Sequence, residues 1–121
     1  MIRILVVEDD DVVATLLEHV FRREGHEVQH VAEGREVTRL LRDDPPDVVV
    51  LDYMLPHMSG LEILKEIRHS DGWKEVPVIF LSARTSSRDI TEVLEAGAND
   101  YMTKPFAVDE LGARVRRLVR S

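Results

Sequence analysis

Along this chain, short uninterrupted apolar runs alternate with longer stretches in which apolar residues return every three or four positions. Ile4-Leu5-Val6-Val7 is the first such run; Val12, Val13, Leu16, Leu17, Val20 and Phe21 then recur at helical spacing until Gly25, the pattern of an amphipathic helix closed by a glycine. Residues 27–32 mix polar and apolar side chains, as a half-exposed edge strand would. Val37, Leu40 and Leu41 mark a second helix, ended by Pro45-Pro46. Val48-Val49-Val50-Leu51 is apolar throughout, which suits a strand covered on both faces. Leu61, Leu64 and Ile67 mark helix three, residues 76–81 strand four, and Ile90, Val93 and Leu94 helix four, closed by Gly97. Residues 100–103 leave room for a short fifth strand, and Leu111, Val115, Leu118 and Val119 mark the last helix. Five strands alternating with five helices predict an α/β fold with a parallel sheet and helices on both faces. Right-handed crossovers put the C-terminal ends of all the strands on one edge, and open sheets of this kind bind ligands outside that edge.

Composition narrows the class without changing the picture. The 121 residues fit one domain, residues 1–121, with a real core. Hydrophobic residues at 44% and charged residues at 32% are those of an ordinary globular protein. There is no cysteine, so disulfides and thiolate metal sites are excluded. No apolar run approaches the roughly 20 residues that span a bilayer. A net charge of −7 argues against direct nucleic-acid binding by this domain. The basic residues of the last helix, Arg114, Arg116, Arg117 and Arg120, suit the negative end of a helix dipole or a protein contact.

The strand ends carry the chemistry. Strand one runs into Glu8-Asp9-Asp10-Asp11, strand three into Asp52, strand four into Ser82 and strand five into Lys104-Pro105. Carboxylates gathered on one rim repel one another, and a hard divalent cation held by oxygen ligands resolves the conflict. Asp10 and Asp11 read best as caps for the following helix. Glu8 and Asp9, nearer the buried strand end, read as metal ligands, because an unpaired buried carboxylate is costly. Lys104 can pair with Asp52 or with a phosphoryl oxygen, and Ser82 offers a hydroxyl donor. A carboxylate nucleophile, a metal, a cation and a hydroxyl are the parts of an in-line phosphoryl transfer. The five histidines, His19, His26, His30, His57 and His69, share no helix face at ligand spacing and read as surface or packing residues.

In these segments the chain resembles the receiver domain of bacterial two-component response regulators. The residues that carry the likeness are Ile4-Leu5-Val6-Val7-Glu8-Asp9-Asp10, Val50-Leu51-Asp52-Tyr53-Met54-Leu55-Pro56 with Ser59-Gly60, Leu81-Ser82-Ala83, and residues 97–106 through Lys104-Pro105-Phe106. The resemblance implies a flavodoxin-like doubly wound (βα)5 fold with strand order 2-1-3-4-5. It implies that Asp52 accepts a phosphoryl group from a histidine kinase or phosphotransfer protein, and that Mg2+ or Mn2+ is held by Asp9, Asp52 and the backbone carbonyl of Met54, with Glu8 acting through a bound water. Ser82 and Tyr101 would be a switch pair. Met54 and Arg84 would tune the lifetime of the phosphorylated state. The Lys104–Pro105 peptide would be cis, and the protein a cytoplasmic regulator rather than a turnover enzyme.

The last third looks most like receivers that precede a winged-helix DNA-binding domain, which dimerise through helix four, strand five and helix five. Asp100, Glu110, Arg114 and Arg116 fit the ion pairs of such an interface. Asn99 and Ile90 depart from it, standing where an acid and a basic residue are usual. Gly112 inside the last helix is expected to cost about 1 kcal/mol relative to alanine. Two other readings fit less well. A haloacid-dehalogenase-like phosphatase carries its nucleophile after strand one, and a flavodoxin-like cofactor binder would cradle a phosphate where Glu8 to Asp11 repel it.

Overall fold

The computed structural model describes residues 1–119, so Arg120, grouped above with the other arginines, lies outside the described residues. In chain order the elements are β1 (Arg3–Val7), α1 (Asp11–Arg23), β2 (Glu27–Val31), α2 (Gly34–Leu40), β3 (Val48–Leu51), α3 (Gly60–Arg68), β4 (Val78–Ser82), α4 (Ser87–Glu95), β5 (Asp100–Thr103) and α5 (Val108–Val119). The strands form one five-stranded sheet in the order β2-β1-β3-β4-β5, and every pairing is parallel. The doubly wound α/β expectation therefore holds, including its strand order.

Because side chains alternate across a strand, the sheet feeds two cores. Leu5, Val7, Val49, Leu51 and Phe80 pack with Val37, Leu61, Leu64, Ile67 and Val93 from α2, α3 and α4. Ile4, Val6, Val50, Ile79 and Leu81 pack with Leu17 and Phe21 of α1 and Leu111 and Val115 of α5. Burial of each such side chain contributes roughly 1.5–3 kcal/mol before chain entropy is subtracted. β1 and β3 lie side by side and their crossovers leave in opposite directions, so the crevice for a ligand opens between their C-terminal ends.

Local chemistry sets the boundaries. Asp10 caps α1, its carboxylate accepting from the amides of Val12 and Val13. Ser59 caps α3 in a capping box with Glu62, which satisfies two otherwise orphan amides. Gly25 and Gly97 close α1 and α4 with φ of 90° and 115°, a conformation that side chains resist. β4 starts two residues later than the sequence pattern suggests. Pro77 has no N–H to give a ladder; its carbonyl accepts from Val49, and Val76 turns back to bond the Trp73 carbonyl. Trp73 lies in the loop before β4 but is buried, and its Nε1 donates to the Asp43 carbonyl at 2.9 Å.

Two glycines in helices differ in what they face. A Cβ on Gly60, at the start of α3, would collide with the Asp52 carbonyl and stand 2.9 Å from Tyr53 Cα, so α3 approaches the end of β3 only because residue 60 has no side chain. A Cβ on Gly112 would meet only the ends of the Glu24 and Arg116 side chains, at 3.1 and 3.2 Å, and these can move. We expect Gly60→Ala to lower the unfolding free energy by about 2–3 kcal/mol through overpacking against backbone. Gly112→Ala should raise it by up to about 0.5 kcal/mol, as helix propensity outweighs a displaced surface ion pair. Urea denaturation of both variants checks the contrast; equal effects would show that the two environments are equivalent.

Candidate functional site

At the C-terminal edge of the sheet the chain gathers residues that are far apart in sequence. Glu8 follows β1, Asp52 follows β3 and Ser82 ends β4; all three are buried. One carboxylate oxygen from each of Glu8, Asp9 and Asp52 can be chosen so that all lie within 4.8 Å of one another. Lys104, which follows β5, lies among them, with Nζ 2.7 Å from Glu8 Oε1 and 3.1 Å from Asp52 Oδ2. The other Asp52 oxygen accepts from the Met54 amide at 3.2 Å, and Glu8 Oε2 accepts from the Asp10 amide at 3.2 Å. The run of acids after β1 is thus divided: Glu8 and Asp9 join the cluster, Asp10 caps α1, and Asp11 opens its first turn.

The electrostatics follow from burial. Desolvation first, and then the neighbouring Asp52 charge, push the Glu8 carboxyl up to about 7 from its usual 4.5, against the pull of Lys104. Lys104 itself is burdened by burial, but its bonds to Glu8 and Asp52 more than compensate and raise its pKa. It stays protonated across the physiological range. With the acids ionised, three carboxylates face one ammonium, and a divalent cation on Asp9, Asp52 and Glu8 would balance the remaining charge. The all-oxygen donor set fits a hard cation.

A second set of contacts joins Ser82, Arg84 and Tyr101 with the loop that follows Asp52. Ser82 Oγ accepts from the Arg84 amide at 3.1 Å, and the Tyr101 hydroxyl donates to the Arg84 carbonyl at 2.8 Å. The two residues expected to act as a pair are therefore tied to the backbone of the same residue, one at its amide and one at its carbonyl. Tyr101 is half-buried and its ring lies parallel to Phe80 at 6.1 Å. The Arg84 guanidinium crosses to the loop after β3, with Nε and Nη2 each 3.3 Å from the Met54 sulfur. It also sits 4.5 Å above the Tyr53 ring and pairs with Asp89 at 3.1 Å. Sequence reasoning found Met54 and Arg84 but missed Tyr53 and Asp89. The available signals were an aromatic next to the acceptor and an acid in the first turn of the helix that follows Arg84.

The expected interface residues divide. Arg114 joins Asp100 and Glu110, each at 2.8 Å, and Arg117 reaches the other Asp100 oxygen at 3.4 Å. Arg116 does not belong with them. Two residues on from Arg114 it points to the other side of α5, and its guanidinium meets Glu24 at the end of α1, 3.3 Å away. Asn99 is also explained. Its Oδ1 accepts from the Val78 amide at 2.9 Å and from Arg68 at 3.0 Å, so it holds the entry to β5 instead of offering a charge outward. The Lys104–Pro105 peptide is cis, as expected. No helix among the described residues is long and apolar enough to cross a membrane.

The family model of the response regulator receiver domain matches residues 4–116. The chain belongs to that family. It is 49% identical over 113 residues to the uncharacterized transcriptional regulatory protein YrkP of Bacillus subtilis, covering 93% of this chain and 47% of that protein. It is 42% identical over 117 residues to the transcriptional regulatory protein AfsQ1 of Streptomyces coelicolor, covering 97% and 51%. The receiver thus spans about half the length of these relatives. Among solved structures, the receiver domain of the Francisella response regulator 1452 superposes with a TM-score of 0.92 at 35% identity, covering 99% of this chain and 98% of that one. A receiver domain of the Pseudomonas aeruginosa sensor histidine kinase PA1611, described with a magnesium ion coordinated in its active site cleft, superposes with a TM-score of 0.91 at 35% identity, covering 99% and 98%.

The position of Glu8 carries a stability signature in metal-free solution. Its pKa is higher in the folded receiver than in the unfolded chain, so its contribution to stability is complete below the unfolded value of 4.5 and is lost as pH rises through about 7. With a chelator present, the thermal midpoint should fall between pH 5.5 and pH 8, and Glu8→Gln should flatten that slope and melt higher than the parent at pH 8. A parent midpoint that rises over this interval in step with the variant would contradict the assignment.

Proposed function

We propose that this receiver is a phosphoacceptor switch in which Asp52 takes a phosphoryl group from the phosphohistidine of a histidine kinase or phosphotransfer protein. The observation that carries the reading is the state of the Asp52 carboxylate. It is buried and held by the Lys104 ammonium and the Met54 amide, and its acidic neighbours leave room for a divalent cation and no other evident use. An Asp52 oxygen attacks phosphorus, the bond from phosphorus to the donor nitrogen breaks, and the donor imidazole leaves with the electron pair and takes a proton from solvent. The product is an acyl phosphate.

Glu8, Asp9, Asp52 and the Met54 carbonyl would hold Mg2+ or Mn2+; when bound, the cation neutralises charge developing on the phosphoryl oxygens. The magnesium described in the cleft of the Pseudomonas receiver supports that choice. Lys104 then exchanges its bond to Asp52 for one to a phosphoryl oxygen. Ser82 accepts from the Arg84 amide and so keeps its own hydroxyl proton for a second phosphoryl oxygen. As Ser82 moves toward the phosphoryl group the backbone at Arg84 follows, and the Tyr101 hydroxyl, bonded to the Arg84 carbonyl, is released to turn inward.

The readout would be the surface of α4, β5 and α5. Asp100, Glu110 and Arg114 are paired within the chain, so a homodimer there would form by exchanging these bonds for cross-subunit ones. The names of the relatives, transcriptional regulatory proteins, support a role in controlling transcription. Autocatalytic loss of the phosphoryl group, rather than turnover of an external substrate, would return the switch to rest.

Incubation with acetyl phosphate and Mg2+ should add one acid- and base-labile phosphoryl group to the parent chain and none to Asp52→Asn, read by intact-protein mass spectrometry; equal incorporation in the variant would end the proposal. Arg84→Ala removes the bridge over the acceptor and admits water, so hydrolysis of the phosphorylated form should speed up by about threefold or more, while Mn2+ affinity stays within about twofold. Unchanged hydrolysis would remove Arg84 from the tuning role.

A further inference from the structure

His30 lies on β2, opposite Val6 of β1 in the parallel register, on the face of the sheet packed by α1 and α5. Val28, two residues earlier on the same face, is an ordinary core residue. A third apolar side chain would be expected at position 30, and a half-buried imidazole stands there instead. Its Nε2 is 2.7 Å from the carbonyl oxygen of Glu8. A carbonyl only accepts, so Nε2 carries the proton and donates.

That carbonyl is an unusual acceptor. β1 ends at Val7 and α1 starts at Asp11, so the Glu8 carbonyl lies past the ladder and ahead of the helix. Its peptide is the one that joins Glu8 to Asp9. The amide of Glu8 donates to the Val31 carbonyl at 3.1 Å, the last bond from this segment to β2. Glu8 is thereby clamped at both its backbone groups by consecutive residues of one strand. The His30 bond restricts rotation of the peptide between residues 8 and 9, and with it the swing of the Asp9 carboxylate.

We infer that His30 is a positioning residue for the metal site: by fixing the Glu8–Asp9 peptide it holds the exposed Asp9 carboxylate in register with Glu8 and Asp52. The inference rests on the metal-dependent acceptor proposed above. Asp9 is the cluster member that most needs such help, since Glu8 and Asp52 are buried and bonded to Lys104, whereas Asp9 is exposed. Glu18 of α1 stands 3.9 Å from Nδ1, the ring nitrogen that does not bond the carbonyl.

The test compares His30→Gln, whose amide can donate to the same carbonyl, with His30→Leu, which fills similar space without a donor. Thermal melts establish that both fold. Mn2+ affinity is then read by electron paramagnetic resonance, and phosphorylation by acetyl phosphate is measured as a function of Mg2+. His30→Leu should bind Mn2+ about tenfold more weakly, as loss of a group orienting a metal ligand typically does, with His30→Gln within about threefold of the parent. At saturating Mg2+ the rate of His30→Leu should return to that of the parent. Equal Mn2+ affinity in all three proteins would overturn the inference while leaving the acceptor proposal intact. So would equal losses in both variants, or a rate deficit in His30→Leu that saturating Mg2+ does not repair. A parent chain that binds no divalent ion would overturn both.

Discussion

One ammonium holds this site together. Glu8 and Asp52 are buried beside each other, an arrangement that desolvation and mutual repulsion both oppose, and Lys104 bonds to both. The demand on the fold is considerable. β4 lies between β3 and β5, so the backbones at Asp52 and Lys104 stand about two strand spacings apart, roughly 9–10 Å, and the two side chains must bridge that gap together. The residue they pass is Ser82, whose small side chain leaves room, and the Lys104 amide is itself anchored on the Ser82 carbonyl at 2.8 Å. The sheet order, the small residue at the end of β4 and the long basic residue after β5 are a single solution. Even so, the compensation is incomplete, which is why Glu8 is held well above the ordinary carboxylate range.

Beyond that pair, one residue touches both the site and the elements around it. Arg84 accepts the Tyr101 hydroxyl on its carbonyl, gives its amide to Ser82, and lays its side chain across Met54, Tyr53 and Asp89. Anything that displaces Ser82 is felt at once by the loop before α4 and by β5. The opposite end of the sheet is braced differently. Arg68, at the end of α3, donates to the carbonyls of Lys74, Val76 and Gly97 and to Asn99, so four points in two loops and the entry to β5 share one guanidinium.

The sequence was most legible where the physics is local or strongly periodic. The apolar runs mark the strands, and acids at their ends have no packing reason to be there, so Glu8, Asp9 and Asp52 could be placed before any coordinates. Asp10 as a cap follows from its position alone. What escaped depends on partners distant along the chain. Asn99 looked like a weakened interface position because its true partners, the Val78 amide and Arg68, lie 21 and 31 residues away. His30 looked like filler because its partner is a backbone carbonyl 22 residues away. Arg116 is a different case. Helical geometry alone separates it from Arg114 and puts Arg117, three residues on, back on the same side; grouping arginines by proximity in sequence concealed a periodicity that was there to be used.

The spacing of the central ion pairs bears on how the molecule is made. Lys104 is separated from Glu8 by 96 residues and from Asp52 by 52. A ribosome that has produced everything through β4 has therefore displayed every acid of the site and none of its compensating cation. Until the segment after β5 has docked, Glu8 and Asp52 lack the ammonium that offsets their repulsion. The cluster of charges is thus complete only once the last strand of the sheet and the residue after it are in place.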